Sequence, residues 1–302
     1  MEHNMENVSS CLICRGTKSL EAFTTTDHTV SKEDFTIREC SSCGFRFTSP
    51  RPDPDQIGAF YLSDAYISHA EKASGLKDRV YHAIRRRTIR EKQRLIAAHQ
   101  NGKRALDVGC GTGDFLAYLG SQGYSVQGIE ISPSARKLAQ QKGLHVQAEL
   151  RHLPAGQVFD VITLWHVLEH VADPRVTLTT LHQHLAHGGH LVIAVPDHES
   201  WDAGYYRANW AAWDVPRHLF HFRRSDLKRL LIESGFEMVA IRKMWFDAPY
   251  VAMLSEQHQG HGKAISFLQG ALVGLWSNLV AWLSTKPTSS SLFLAKKPAR
   301  PH

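Results

Sequence analysis

The chain has 302 residues, of which 43% are hydrophobic and 21% are charged, as in an ordinary soluble globular protein. This length suits one large domain with a small appendage. The net charge of +6 permits an anionic substrate, a membrane surface or nucleic acid and selects none of them. The polar first ten residues do not resemble a signal peptide, so we expect a cytoplasmic protein with reduced cysteines.

Two Cys-x-x-Cys pairs stand near the start of the chain. Cys11 and Cys14 form the first pair, and Cys40 and Cys43 the second, with 25 residues between the pairs. Four thiolates at this spacing predict a zinc ribbon over residues 1–50. They would fill the tetrahedral shell of the ion and leave no open position, so we expect a structural zinc. Cys110 lies far from these pairs and is not assigned to the site.

A helical, basic segment is predicted to link this module to the rest of the chain, over residues 51–100. Its basic residues are Arg79, Arg85, Arg86, Arg87, Arg90, Lys92 and Arg94. One interpretation is the solvated face of a lid helix. The other is contact with nucleic acid, which the zinc module does not support because it lacks an obvious basic and aromatic stacking surface.

From about residue 101, strand and helix patterns alternate, which predicts βαβ units around a parallel sheet. Ser132-Pro133 and Asp173-Pro174 each combine a capping side chain with a proline at the first helical position, and so predict two helix starts. The predicted strands are 104–108, 125–129, 145–148, 159–165, 190–195, 238–246 and 291–296. The predicted helices are 113–122, one that begins at 132, 173–185 and 225–234, with Gly188-Gly189 as the signal that ends the third of them.

A glycine-rich turn follows the first of these strands. Its spacing, Gly109-x-Gly111-x-Gly113, differs from the G-x-G-x-x-G of dinucleotide-binding turns. Asp107 stands just before the turn and would repel a pyrophosphate, but it would suit a cofactor with a cationic amino-acid end. Glu130 ends the next strand and can accept two hydrogen bonds from ribose hydroxyls. The combination favours S-adenosylmethionine over NAD.

Four segments in order resemble the motifs of class I S-adenosylmethionine-dependent methyltransferases. They are Leu106–Gly113, Glu130, Phe159–Val171 with Asp173-Pro174, and Leu185–Pro196. The resemblance covers residues 101–302 and implies a Rossmann-like, seven-stranded, mostly parallel sheet with helices on both faces. It further implies that Asp107, Gly109 and Gly111 line the methionine end of the cofactor and that Glu130 holds the ribose. Gly113 and Ile131 are also expected to bind the cofactor, Glu149 or Leu150 to flank the adenine, and Trp165 and His166 to face cofactor or substrate. Packing in the core is an alternative role for Trp165.

His166, Glu169 and His170 fall at helical spacing and would share one face of a helix. A similar Glu-x-x-Glu-His segment binds a divalent cation in polyprenyl-benzenoid O-methyltransferases of the ubiquinone pathway, but this chain has His166 at the first position. We consider a metal site, a general base at His166, and a purely structural Glu169-His170 pair. The four-cysteine module followed by this fold is similar in layout to deoxysugar C-methyltransferases.

A polar segment, Trp213–Phe222, follows the fifth strand of the domain, where open α/β sheets bind substrates. It resembles the Asp-x-Pro-Arg-His segment of many small-molecule methyltransferases. Its polar side chains are therefore candidates for substrate contact or proton transfer, and nearby aromatic residues for a wall of the site. The polar candidates are Asp214, Arg217, His218 and His221, and the aromatic ones are Tyr205, Tyr206 and Trp210. Packing and capping within the loop are the alternatives.

An uncharged segment, 264–283, lies in a predicted insertion at about 248–287, before the last strand of the sheet. Its large apolar residues follow a three-and-four spacing typical of one helix face. We consider four roles for this helix. It covers the substrate mouth, pairs with another subunit to form a homodimer, lies on a membrane surface or packs inside the same chain.

Three functions follow from these patterns. The first is O- or C-methylation of a small molecule such as a sugar-, polyketide- or quinone-like acceptor. The second is methylation of RNA or protein, with the zinc module and the basic helix as docking surfaces. The third is a non-catalytic binding protein on the same fold. We favour the first function, with His166, His218 and Asp214 as candidate catalytic residues.

Overall fold

A computed structural model describes residues 4–61, 76–99 and 102–299. The strands are β1 (Met5–Glu6), β2 (Ser19–Thr26), β3 (Asp34–Cys40), β4 (Arg46–Thr48), β5 (Arg51–Pro52), β6 (Arg104–Val108), β7 (Ser125–Ile129), β8 (Val146–Gln147), β9 (Phe159–Trp165), β10 (Leu185–Pro196), β11 (Phe220–His221), β12 (Glu237–Lys243) and β13 (Ser290–Lys296). The α-helices are α1 (Leu76–His99), α2 (Asp114–Ser121), α3 (Pro133–Gln141), α4 (Pro174–His184), α5 (Trp201–Tyr206), α6 (Arg224–Glu233), α7 (Asp247–His258) and α8 (Lys263–Leu283). Short 3-10 helices cover Ile57–Tyr61, Leu150–His152, Leu168–His170, Arg207–Asn209 and Ala211–Trp213.

A seven-stranded sheet forms the centre of the molecule, in the order β12-β13-β10-β9-β6-β7-β8. The pairs from β10 to β8 are parallel, and β13 is antiparallel to both of its neighbours. The middle of β9 (161–164) and the second half of β10 (191–195) are fully buried, as expected for strands with helices on both faces. The predicted α/β fold with a mostly parallel seven-stranded sheet is confirmed.

The predicted helix starts are confirmed by their caps. The Ser132 hydroxyl accepts a hydrogen bond from the backbone N–H of Ala135, and Asp173 accepts two from the first turn of α4. Several strand bounds also match, but the predicted helix end at Gly188-Gly189 is wrong. Strand β10 already begins at Leu185 and passes through an irregularity there, with Gly188 at a φ of +74°.

The cysteine-bearing module is joined to the large domain by a shared sheet. Its four strands lie in the order β11-β4-β3-β2, so a strand from residues 220–221 completes a sheet that begins near residue 19. Arg175 of α4 also donates hydrogen bonds to the backbone carbonyls of Leu12 and Ile13. The predicted domain boundary near residue 50 stays a prediction, because this sheet contains strands from both sides of it.

The predicted insertion contains two helices rather than one. Strand β12 ends at Lys243, three residues before the predicted end, and α7 begins at Asp247. Helices α7 and α8 then pack along each other. By length and composition, α8 is the one helix of the described residues that could cross a bilayer. Its large apolar side chains face solvent, so the alternative in which they pack inside the same chain is wrong.

Candidate active site at the carboxyl edge of the sheet

The glycine turn after β6 is hydrogen-bonded to Glu130, which follows β7. The two oxygens of the Glu130 carboxylate accept hydrogen bonds from the backbone N–H of Gly111 and of Ser132, both at 2.8 Å. Each oxygen keeps a further lone pair for a ligand. A methyl group placed on Gly111 would meet no atom within 4 Å, so this part of the turn borders open space.

The other glycines of the turn pack against protein. A Cβ on Gly109 would lie 2.4 Å from the Val167 side chain, and one on Gly113 would lie 2.4 Å from the Leu144 side chain. Both residues have a positive φ, which disfavours other residue types. Gly109 therefore brings the turn against the segment after β9, and Gly113 brings α2 against the loop after α3.

Asp107 is almost fully buried at the end of β6. It accepts a 2.5 Å hydrogen bond from the Thr163 hydroxyl of β9. Burial raises the pKa of Asp107 to about 7, because an ionised carboxylate loses its hydration there. A cationic ligand group beside it would favour the ionised form. Thr163 was missed in the sequence, where it appears only as one polar residue in an apolar strand.

The side chains predicted to surround the adenosine are less enclosed. Ile131 is 79% exposed, directly after Glu130. Glu149 is also solvent-accessible and forms a 2.7 Å ion pair with Arg151. Their positions leave room beside Glu130 for a flat apolar ligand group, since nothing of the described chain covers Ile131.

Trp165 packs partly into protein, between two other side chains. Its ring meets Phe115 edge to face, and the ammonium group of Lys92 lies 4.0 Å from its centroid. The indole N–H of Trp165 is buried and has no hydrogen-bond partner among the described residues. Lys92 comes from α1, whose residues Arg86, Arg87, Arg90 and Arg94 are exposed. The basic side chains before residue 86 lie outside the described part of the chain.

His166 lies between two carboxylates at the end of β9, with a positive φ of 57°. Its Nδ1 is 3.4 Å from Glu169 and its Nε2 is 3.2 Å from Asp247, the first residue of α7. Burial alone would lower the pKa of His166, but the two carboxylates outweigh it and raise the pKa to about 10. The two carboxylates therefore favour the protonated ring. Asp247 was missed because the sequence placed a strand up to residue 246.

His218 reaches the same cluster from the segment after α5. Its Nδ1 lies 2.9 Å from the carbonyl oxygen of Ala212, which makes Nδ1–H the donor. Its Nε2 lies 4.0 Å from Glu169 and 3.9 Å from Asp214. The segment is fixed in place because the backbone N–H of Leu219 donates to the carbonyl of Glu169 at 2.8 Å.

Glu169 is completely buried, and neither of its oxygens makes a well-aligned hydrogen bond to a described residue. Burial alone would raise its pKa, but the surrounding histidines outweigh that effect and lower it. Ligand atoms of Glu169, His170 and His218 lie within 4.8 Å of one another. The structure thus joins His218 to the predicted Glu169-His170 pair, while His166 lies between Glu169 and Asp247.

Other predicted site residues are structural. Arg217 is buried and joins Asp27 of the cysteine module to Asp214, with N–O distances of 2.9 and 2.6 Å. His221 is buried beside the Thr48 hydroxyl in the shared sheet, and burial lowers its pKa well below the usual value. These two residues hold the module on the domain and are not positioned for substrate contact.

The predicted aromatic wall is wrong for two of its three members. Tyr206 and Trp210 are buried, and they donate hydrogen bonds to Glu256 and Asp202. Only Tyr205 is exposed, and it stacks on Trp201. The sequence could not separate a wall from a core because both use aromatic residues.

The four cysteines of the N-terminal module converge. The Sγ atoms of Cys11 and Cys43 are 3.6 Å apart, those of Cys14 and Cys40 are 3.5 Å apart, and all four lie within 4.8 Å of one another. Zn–S bonds of about 2.3 Å place tetrahedral thiolates at nearly this separation. None of the four forms a disulfide. The residues present therefore fit a zinc ion.

Comparison with known proteins identifies the family. The model of a family described as "Methyltransferase domain" matches residues 80–241, more than half of the chain. The chain belongs to this methyltransferase family. Together with the sheet order and the glycine turn, this confirms the expected S-adenosylmethionine-dependent methyltransferase.

Curated relatives and a solved structure are consistent with this assignment. A ubiquinone biosynthesis O-methyltransferase of Idiomarina loihiensis is 27% identical over 52% of this chain and 70% of its own length. One from Bordetella avium is 37% identical over 26% of this chain and 37% of its own length. The chain thus spans only part of these relatives. The crystal structure of magnesium protoporphyrin IX methyltransferase from Synechocystis PCC 6803 with bound SAH has the same fold, with a TM-score of 0.53, 14% identity, and coverage of 80% of this chain and 99% of that chain.

Proposed function

We propose that this methyltransferase moves the methyl group of S-adenosylmethionine to a hydroxyl oxygen of a small, quinone-like molecule in the cytoplasm. One observation carries the proposal. The glycine turn, the 166–170 segment and the 214–219 segment meet at the carboxyl edge of the sheet, joined by the Gly109–Val167 contact and the Leu219–Glu169 hydrogen bond. A cofactor site and a proton-accepting group are therefore neighbours. The names of the O-methyltransferase relatives support the acceptor class.

Three residues account for cofactor binding in this proposal. Asp107 holds the cationic amino group, the backbone at Gly111 allows close approach, and Glu130 accepts hydrogen bonds from the ribose hydroxyls. S-adenosylmethionine, when bound, supplies a methyl group already activated on a sulfonium centre. The chain's main task is then to align the acceptor and exclude water.

His218 is the general base of the proposed reaction. Its Nε2 accepts the proton of the acceptor hydroxyl as the oxygen forms its bond to the methyl carbon and the carbon–sulfur bond breaks. The products are a methyl ether, S-adenosylhomocysteine and one proton on His218. Buried Glu169 and nearby Asp214 stabilise the resulting imidazolium, as a carboxylate does in other acid–base pairs. His166 is a weaker candidate base, because carboxylates lie within 3.4 Å of both of its ring nitrogens and favour the protonated ring, whereas the carboxylates near His218 Nε2 are 3.9 and 4.0 Å away.

A divalent metal at Glu169, His170 and His218 is a second candidate for activating the acceptor. The convergence of these three donors, with a buried carboxylate lacking aligned hydrogen bonds, favours it. Two imidazoles and one carboxylate suit a transition metal. Metal analysis separates the two candidates, because the metal-based one requires bound metal beyond that of the cysteine module.

We also propose a structural zinc on Cys11, Cys14, Cys40 and Cys43. The convergence of the four sulfur atoms supports it. With no open coordination position, this zinc takes no part in the reaction. It stabilises the module whose sheet includes β11, next to the 214–219 segment.

The test is a methyl-transfer assay with labelled cofactor and hydroxylated quinone-type acceptors. His218→Ala should lower kcat by about 100-fold or more, while calorimetry shows nearly unchanged cofactor affinity. His187→Ala, an exposed histidine near the start of β10, is the matched control. Full activity in His218→Ala would refute the base. Failure of the wild-type protein to bind the cofactor would refute the function as a whole.

A further inference from the structure

Helix α8 buries its small side chains and exposes its large apolar ones. Its buried residues are Ser266, Gly270, Gly274, Ser277 and Ala281. A Cβ on Gly270 would lie 2.4 Å from the backbone of Met253, and one on Gly274 would lie 2.4 Å from Pro249. The helix is thus fixed on α7 at a distance that only its small face allows. This is the reverse of a helix that uses its apolar face to join a core.

The exposed face of α8, which we call the apolar face, is large and free of charge. It includes Phe267, Leu268, Leu272, Leu275, Trp276 and Trp282, each between 53% and 70% exposed. Scattered exposed apolar residues need no explanation, but a continuous face of this kind marks an interaction surface. Tryptophan side chains at such a surface are typical of the boundary between lipid and water.

The apolar face continues onto a basic surface. The side chain of Asn278 donates a hydrogen bond to the carbonyl of Trp245, so the 245–246 segment lies against α8. Next to it, the Arg87 guanidinium of α1 lies 5.4 Å from the ring centroid of Phe246. Arg86, Arg90 and Arg94 on α1 are exposed as well.

The charged residues in the sequence of α8 and the stretch after it are also basic. No Asp or Glu occurs from residue 257 to residue 302, whereas this stretch contains four lysines and one arginine. Of these basic residues, Lys263 is the first residue of α8 and Lys286 lies three residues after its end, and both are exposed. Positive charges at the two ends of the apolar face attract anionic lipid headgroups.

We propose that α8 docks the protein on the surface of an anionic lipid bilayer. The helix lies in the headgroup region with its apolar face toward the acyl chains. It does not cross the bilayer, because its small face stays packed on α7 and the chain returns to β13 inside the central sheet. The proposal is independent of the acceptor, although α7 links the docked surface to His166 through Asp247.

A second copy of the chain fits this surface less well. Two copies paired about a two-fold axis would bring the same patch of each chain together. Lys263 and Lys286, at the two ends of α8, would then lie near the same positive groups of the other copy, and residues 257–302 contain no Asp or Glu to balance them. An anionic lipid surface, by contrast, has the opposite charge and attracts these basic residues.

Vesicle flotation of the full-length protein tests the proposal. The probes are phosphatidylcholine vesicles with and without phosphatidylglycerol, and the test variant is Leu272→Glu with Leu275→Glu. Val176→Glu with Ile232→Glu is the matched control, since these are exposed apolar positions on α4 and α6. The wild type and the control should bind vesicles, more tightly with phosphatidylglycerol. The test variant should lose at least about ten-fold in partition coefficient, with an unchanged melting temperature and cofactor affinity.

Two results would overturn the inference. One is a wild-type protein that stays unbound, or that floats no better than the test variant. The other is a lipid-free dimer by light scattering that the test variant converts to a monomer, which would assign the surface to a second copy. Neither result affects the proposed function, because cofactor binding and methyl transfer to a soluble acceptor are measured without lipid.

Discussion

Asp107 is an acid whose burial opposes folding, so replacing it by asparagine should stabilise the cofactor-free protein. The Thr163 hydroxyl can donate equally well to an asparagine oxygen, and the two side chains have nearly the same shape. The substitution therefore removes the ionisable group and little else. The pKa of Asp107 rises from 3.8 to about 7 on folding because the group is buried.

The direction of the pH effect follows from this shift. Because the folded state holds the proton more tightly than the unfolded state, Asp107 makes the protein less stable as the pH rises from about 4 to about 7. Each pH unit in that window corresponds to about 1.4 kcal/mol. Between pH 5.5 and pH 8 the wild type should thus lose about 2 kcal/mol of unfolding free energy relative to Asp107→Asn.

The assay is urea unfolding of both proteins at the two pH values without cofactor. Calorimetry with S-adenosylmethionine at pH 8 completes it, since the asparagine variant should bind the cofactor at least about ten-fold more weakly. Parallel pH dependence of the two proteins would refute the role of burial. Equal cofactor affinity would refute the role of Asp107 as partner of the cationic amino group.

Arg217→Met should destabilise the protein by about 3 kcal/mol in urea unfolding, because it leaves the buried Asp27 carboxylate without its ion-pair partner. A loss below about 1 kcal/mol would show that backbone N–H groups suffice for Asp27. Cys40→Ser should release one zinc per chain by elemental analysis and lower the melting temperature, whereas Cys110→Ser should retain the metal. The zinc site would be contradicted if the purified wild-type protein contained no zinc and all of its thiols reacted with a thiol reagent.

Local patterns predicted much of the catalytic fold. Strands 104–108, 125–129 and 159–165 were correct to the residue because each is a short segment with buried apolar residues between turn signals. The cap and proline at Ser132 and Asp173 predicted two helix starts for the same local reason. The prediction failed at β12 and α7, where the residues from 244 to 247 carry no strong stop or cap signal.

Roles that depend on distant contacts were harder to predict. Arg217 and His218 are adjacent in sequence and looked equally suited to a site, but one is paired with Asp27 of the N-terminal module and the other lies beside Glu169. Nothing in the segment itself separates them. The partner of His166, Asp247, belongs to a helix whose position is set by α8.

The sequence by itself determined the family, the sheet, the glycine turn and the four-cysteine module, because each depends on residue types at fixed short spacings. Tertiary structure decided which polar side chains come into contact, since these contacts join residues far apart in the sequence, such as Asp27 with Arg217 and His166 with Asp247. It also decided the orientation of α8. Periodicity identifies an apolar face on that helix, but only the close packing of Gly270 and Gly274 on α7 turns this face outward.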